Sequence, residues 1–98
     1  MGTIPSEETI DRMENILNIA SDSTRLKILY SIMGEEKNVS QIVEEVGASQ
    51  SLISHQLSIL KKANLVRVRK DGHKAYYIVA DDHVNSLLNV VYEHVNEK

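Results

Sequence analysis

Four residues near the C-terminal end of the chain carry metal-ligating side chains: Asp81, His83, His94 and Glu97. They lie in a stretch where Val84, Leu87, Leu88, Val91 and Val95 follow the rhythm of one apolar helical stripe. At about 100° per residue, His83 and His94 fall within ~20° of each other around such a helix, along one edge of the stripe. They are also about 16 Å apart along it, too far to share one ion. In an antiparallel pair of such helices related by a two-fold axis, residue i faces a residue j such that i + j is nearly constant. The sums are 83 + 94 = 177 and 81 + 97 = 178, so His83 meets His94 of a second copy and Asp81 comes near its Glu97. Each end of the pair then offers two imidazoles and two carboxylates, a nitrogen/oxygen set suited to tetrahedral Zn(II), with Co(II) as an alternative. For Asp81 to aim at that edge it must sit at the N-cap, outside the helical rotation. Taken singly, Asp81 reads as a cap, Glu97 as a solvated acid and each histidine as an ordinary surface residue. Their common fit to one symmetry constraint is what points to a metal.

The rest of the chain must position that helix. With 98 residues it reads as one domain, 1–98, whose modest core gains from sharing apolar surface with another copy. The absence of cysteine removes disulfides, zinc ribbons and thiolate metal sites. With no Trp and no Phe there is no material for a large aromatic ligand cage. No signal peptide or transmembrane run is evident, so a cytoplasmic location without a membrane partner is expected. The net charge of −3 is unevenly spread. Between Gly47 and Ala80 the one acid is Asp71, while the span holds Lys61, Lys62, Arg67, Arg69, Lys70 and Lys74, six of the eleven Lys and Arg. A basic region between two acidic ones is an electrostatic footprint for nucleic acid.

Along the chain, Met1 to Pro5 reads as a frayed lead-in. Ser6 can cap a helix through Ala20, with Ile10, Met13, Ile16, Leu17 and Ala20 on its apolar face. Ser21 or Asp22 caps a second helix, with Leu26, Ile28, Leu29, Ile32 and Met33 apolar and Gly34 as its stop. Glu35-Glu36-Lys37 reads as a polar connection. Asn38, with Gln41 in the capping-box place, opens a short third helix in which Ile42, Val43 and Val46 face inward. Gly47 breaks it, and Ser49 caps a fourth helix, Gln50 to Lys62, with Leu52, Ile53, Leu57 and Leu60 on the buried side. Its outer side is Gln50, Ser51, Ser54, His55 and Ser58. A short helix, a Gly turn and a second helix with an acid-free face of hydroxyls and amides is the helix-turn-helix pattern, here about 39–62. That face has the chemistry needed to approach base edges and phosphates. Beyond Asn64 the rhythm becomes alternating. Leu65-Val66-Arg67-Val68-Arg69 and Ala75 to Val79 read as strands around Lys70-Asp71-Gly72-His73, a hairpin turn. The hairpin, about 65–79, reads as a wing whose Lys70, His73 and Lys74 reach phosphate or the minor groove. The fold expected is mainly α with a β-hairpin wing, a winged helix-turn-helix closed by the helix of about 81–97.

These motifs together resemble the ArsR/SmtB family of metal-sensing winged-helix repressors. Ser21-Asp22-Ser23-Thr24-Arg25-Leu26-Lys27-Ile28-Leu29 is similar to the family's D-P-T-R-L-x-I-L, with Ser23 in place of the usual Pro. Ser49 to Leu60 resembles its S-x-S-x-V-S-x-H-L recognition segment. The wing also fits, and the last helix resembles the D-x-H-(ten residues)-H-x-x-E/H signature of the zinc-sensing branch. The resemblance implies a homodimer, through the N- and C-terminal helices, that binds operator double-stranded DNA when metal-free and releases it when zinc binds. It implies Asp81 and His83 of one chain with His94 and Glu97 of the other as ligands, and Gln50, Ser51, Ser54 and His55 on DNA. It also suggests a link from His94 to the other chain near Asn64. The family's cysteine-containing motif in the third helix has no counterpart in Val39 to Glu45, which excludes thiolate sensing of arsenite, cadmium, lead or Cu(I) by that route.

Other readings of the same residues stand beside this one. The first is a repressor of the same fold that answers a non-metal signal. An enzyme is disfavoured, because four protein ligands close the open position that catalytic zinc requires and no Ser/His/Asp constellation appears. A pure dimerisation module does not account for the basic wing.

Overall fold

The computed structural model describes residues 2–97; Met1, the start of the expected lead-in, and Lys98 lie outside the described residues. The elements are α1 (Glu7–Ala20), α2 (Ser23–Ser31), β1 (Lys37–Asn38), α3 (Val39–Val46), α4 (Gln50–Lys62), β2 (Val66–Asp71), β3 (Lys74–Val79) and α5 (Asp82–Val95). Mainly helical with an antiparallel hairpin, this is the winged helix-turn-helix that the periodicity predicts. No helix of the described residues is long and apolar enough to cross a membrane.

Helix starts are fixed by side chains that satisfy the first free N–H groups. Ser6, Asp22, Asn38, Ser49 and Asp81 accept from the backbone N–H of Thr9, Arg25, Gln41, Leu52 and Val84. At Asn38 the bond is reciprocated, since Gln41 Oε1 accepts from the Asn38 N–H at 2.8 Å. Gly47 ends α3 at φ 79°, a left-handed conformation that costs glycine little, and this turns the chain into α4. Only Gly72 and His73 separate β2 from β3, and Gly72 has φ 63°. A glycine first in a two-residue loop suits a type II′ hairpin turn.

The core lies where α2, α3, α4 and the base of the wing meet, with Ile28, Leu29, Ile32, Ile42, Ile53, Leu57 and Leu60 fully buried. Leu65, Val66 and Val79 close it from the hairpin, and Leu88 from α5. Arg25 ties three helices together: its Nε donates to the Ile19 carbonyl at the end of α1, and its Nη1 donates to Gln56 Oε1 on α4, both at 2.7 Å. The Tyr30 hydroxyl on α2 donates to the Leu88 carbonyl in the middle of α5 at 2.7 Å. The Tyr30 and Tyr92 rings meet at 6.3 Å, tilted by 50°.

Four expectations are corrected. First, α2 ends at Ser31, and Ile32 is its C-cap, so Met33 and Gly34 lie beyond the helix. Second, the polar connection ends in a strand: Lys37 and Asn38 pair with Tyr77 and Tyr76, making a three-stranded sheet of order β1-β3-β2. Third, the hairpin strands run further toward the tip than the alternation implied, with Lys70 and Asp71 in β2 and Lys74 in β3. Fourth, Leu52 is 40% exposed, because at the start of α4 no other element covers its side. The apolar faces of the terminal helices are largely uncovered in the single chain. On α1, Ile10, Met13 and Leu17 are exposed; on α5, Leu87, Val91 and Val95 are exposed and Leu88 is the buried member of the stripe.

The chain's radius of gyration is 14.6 Å, against about 12.6 Å expected of a globular chain this long. The excess is consistent with helices that pack by one edge.

Leu57 sits 1% exposed at the centre of the core. Leu57→Ala should lower the unfolding free energy by about 2–5 kcal/mol, read as a lower urea midpoint. Leu52→Ala should change it by less than about 0.5 kcal/mol.

Candidate nucleic-acid interface and metal ligands

The Gly47 turn and the Ser49 cap aim α4 outward, while Ile53, Leu57 and Leu60 anchor its inner side. Gln50, Ser51, Ser54, His55 and Ser58 are all exposed, as their spacing predicts. Gln56 faces inward and is held by Arg25, which fixes the rotation of α4 about its own axis. No acidic residue lies on α4, and its last turn carries Lys61 and Lys62. The outer surface is therefore a hydrogen-bonding, anion-tolerant face on a helix held by its opposite side.

Lys70, His73 and Lys74 are exposed at the wing tip, as expected. The strand register divides them, however. Residues directly paired in an antiparallel ladder share a face. The pairs Arg67↔Ile78, Arg69↔Tyr76 and Asp71↔Lys74 place Arg67, Arg69, Asp71 and Lys74 on one face, and Lys70, paired with Ala75, on the other. Arg67 and Arg69 were not among the expected DNA contacts. Lys74 pairs with Asp71 across the two-residue turn, and stepping back by two from Asp71 reaches Arg69 and Arg67.

Arg69 is not free. Its Nε and Nη2 donate to the two carboxylate oxygens of Glu36 at 3.1 and 2.5 Å, and its guanidinium lies 4.8 Å from the Tyr76 ring centroid. Hydrogen bonding by Arg69 holds the Glu36 carboxyl below the usual carboxylate range, and the same bond raises Arg69. A second pair, Lys37 with Glu45, ties β1 to α3.

At the C-terminal helix the structure places the four expected ligands as two separate pairs. Asp81 is the N-cap: its Oδ1 accepts from the Val84 N–H at 3.0 Å and lies 4.0 Å from His83 Nδ1. At the other end His94 Nδ1 lies 3.9 Å from Glu97 Oε2. Both imidazoles are open to solvent, and among the described residues no hydrogen bond engages either ring. Within the chain, no group of three or more candidate ligands comes together among the described residues. Each end of α5 thus presents one nitrogen donor and one oxygen donor. The donors fit zinc in kind, and the cap leaves Asp81 Oδ2 without an intrahelical partner.

With this geometry in hand, comparison with known proteins is direct. The family model described as "Bacterial regulatory protein, arsR family" matches residues 22–68, which run from the cap of α2 into the wing. The chain is 31% identical over 94 residues to a Synechocystis transcriptional repressor, an SmtB homolog, covering 96% of this chain and 71% of that one. It is 32% identical over 83 residues to a Staphylococcus aureus cadmium resistance transcriptional regulatory protein, a CadC homolog, covering 84% of this chain and 69% of that one. A homodimeric winged helix-turn-helix DNA-binding domain from Mycobacterium bovis superposes with a TM-score of 0.85 at 25% identity, covering 99% of this chain and 92% of that one. The matched span, the identity to a transcriptional repressor and the common fold lead to one conclusion: this chain belongs to the ArsR family of bacterial transcriptional regulators, which bind DNA and are not enzymes.

Proposed function

We propose that this chain is a zinc-responsive transcriptional repressor: a metal-free homodimer binds operator DNA through α4 and the wing, and Zn(II) held between the two α5 helices lowers that affinity. The observation that carries the reading is the split ligand set, an exposed imidazole–carboxylate pair at each end of α5, with its other half about 16 Å away along the same helix. A second copy supplies that half when the two α5 helices run antiparallel, so that Asp81 and His83 of one chain meet His94 and Glu97 of the other. The uncovered residues Leu87, Val91 and Val95 give the helices a reason to pair, as do Met13 and Leu17 on α1. The homodimeric relative supports the pairing, and the cadmium resistance relative supports a metal as the signal. A chain without cysteine takes that signal through nitrogen and oxygen, which favours Zn(II), with Co(II) next.

Two recognition helices must meet half-sites about 34 Å apart, one turn of DNA. Their separation follows from how the α5 helices cross, because Tyr30 and Leu88 couple α5 to α2 and Arg25 couples α2 to α4. Asp81 and His83 of one chain with His94 and Glu97 of the other would hold the ion, which would tie the two helices together. The imidazoles orient that tie when their second ring nitrogens donate to a carbonyl or carboxylate. Asn64, exposed at the end of α4 with φ 60°, is the residue proposed to receive His94 of the other chain. Linkage then makes metal and DNA oppose each other.

Stoichiometric Zn(II) should weaken operator binding at least tenfold, about 1.4 kcal/mol, at fixed salt. His83→Ala and His94→Ala should each remove the response and leave metal-free binding intact; zinc-driven release in both variants would show the ligands to be misassigned. On the DNA side, Gln50→Ala should cost about 1–3 kcal/mol and relax selectivity at one base pair. Lys70→Ala should instead weaken all sequences alike and lower the salt dependence by about 0.9. Binding isotherms on operator and scrambled duplexes separate the two outcomes.

A further inference from the structure

The pairing of Arg69 with Glu36 sets it apart from the other cations of the wing. Arg67 and Lys74 share its face, and among the described residues neither enters an ion pair. Arg69 is gripped by a two-pronged contact from Glu36, at 2.5 and 3.1 Å, with Asp71 Oδ2 a further 3.9 Å away and the Tyr76 ring beneath. Two parallel N–H···O bonds from a guanidinium are also the way arginine takes a phosphate. Glu36 belongs to the segment before β1, outside the basic stretch, and its carboxylate fills the place a phosphate would take.

We propose that Arg69 is a latent phosphate contact of the wing and that Glu36 is its guard, so that the pair is closed in the free protein and opens on DNA as a phosphate replaces the carboxylate. This rests on the DNA-binding reading above. Both side chains remain substantially exposed, 53% for Arg69 and 38% for Glu36. An exposed ion pair is weak and screened by salt, whereas a duplex concentrates negative charge along its backbone. The exchange is therefore favourable where the wing lies against DNA and not elsewhere. Tyr76, fixed between β1 and β2 by pairing with Asn38 and Arg69, keeps the guanidinium presented whichever anion it holds. The guard makes this contact conditional on placement: a wing that misses the backbone finds Arg69 already neutralised.

The test is binding to a mixed-sequence duplex, measured between about 50 and 200 mM salt. Glu36→Gln should tighten binding about two- to fivefold. Glu35→Gln, which removes an equal charge from an exposed neighbour, should do much less. Arg69→Gln should lower the salt slope by about 0.9, the loss of one phosphate contact, and should cost more affinity in the Glu36→Gln background than in the wild type. Three results would each overturn the proposal: an unchanged slope in Arg69→Gln, a loosening in Glu36→Gln (a brace rather than a guard), or equal effects of Glu35→Gln and Glu36→Gln (net charge alone). A wild-type chain that binds no duplex at any salt would sink the DNA-binding reading, and this one with it.

Discussion

Helical geometry sets the terms for the metal site proposed at α5. Eleven residues bring His83 and His94 back to nearly the same side of α5, yet leave them about 16 Å apart along the axis. A carboxylate stands beside each imidazole, at 4.0 Å for Asp81 and 3.9 Å for Glu97. No bend in a single 14-residue helix closes that gap. The sensing function proposed here is therefore a property of two chains, and a single protomer carries two incomplete halves of it.

The packing of α5 is consistent with that role. Buried Leu88, half-buried Val84 and the contacts of Tyr30 with the Leu88 carbonyl and the Tyr92 ring hold the helix to the rest of the fold, while Leu87, Val90, Val91 and Val95 stay in water. A helix held by one edge can pivot on it, and the carbonyl that Tyr30 grips lies midway between the two ligand pairs. α2 is the common member of this arrangement. It reaches α5 through Tyr30 and α4 through Arg25, so in the proposed dimer a change in the crossing of the two α5 helices would have a short physical route to the outer face of α4. The three buried residues Ile53, Leu57 and Leu60 make α4 move as one body with the core rather than by itself.

How much of this was legible in the residues depended on whether the signal was local. Caps are local: Ser6, Asn38, Ser49 and Asp81 each lie just ahead of a periodic run, and each caps as read. The Gly47 break and the two-residue Gly72 turn are local in the same sense. β1 was missed because two residues carry no period, and Lys37 and Asn38 become a strand only through the distant Tyr76 and Tyr77. Leu52 was placed inside because an apolar residue on a helix is normally covered, but only the packed structure shows that no element reaches the first turn of α4 on that side. Apolar periodicity in α1 and α5 was read correctly as a face, though it does not say what covers that face. Arg69 was overlooked as a separate case because its meaning lies in Glu36, 33 positions earlier.

The central claim, that each ion takes one histidine from each chain, has a direct test in subunit mixing. His83→Ala alone and His94→Ala alone leave every site of their homodimers with a single imidazole. A heterodimer of the two has one end with neither imidazole and one end with both. After exchange of subunits, zinc titration of the mixed sample against a chromophoric competitor should recover one tight site per heterodimer, and neither parent variant should have any. A mixture that binds no better than its parents, or a parent that keeps a tight site, would contradict the account.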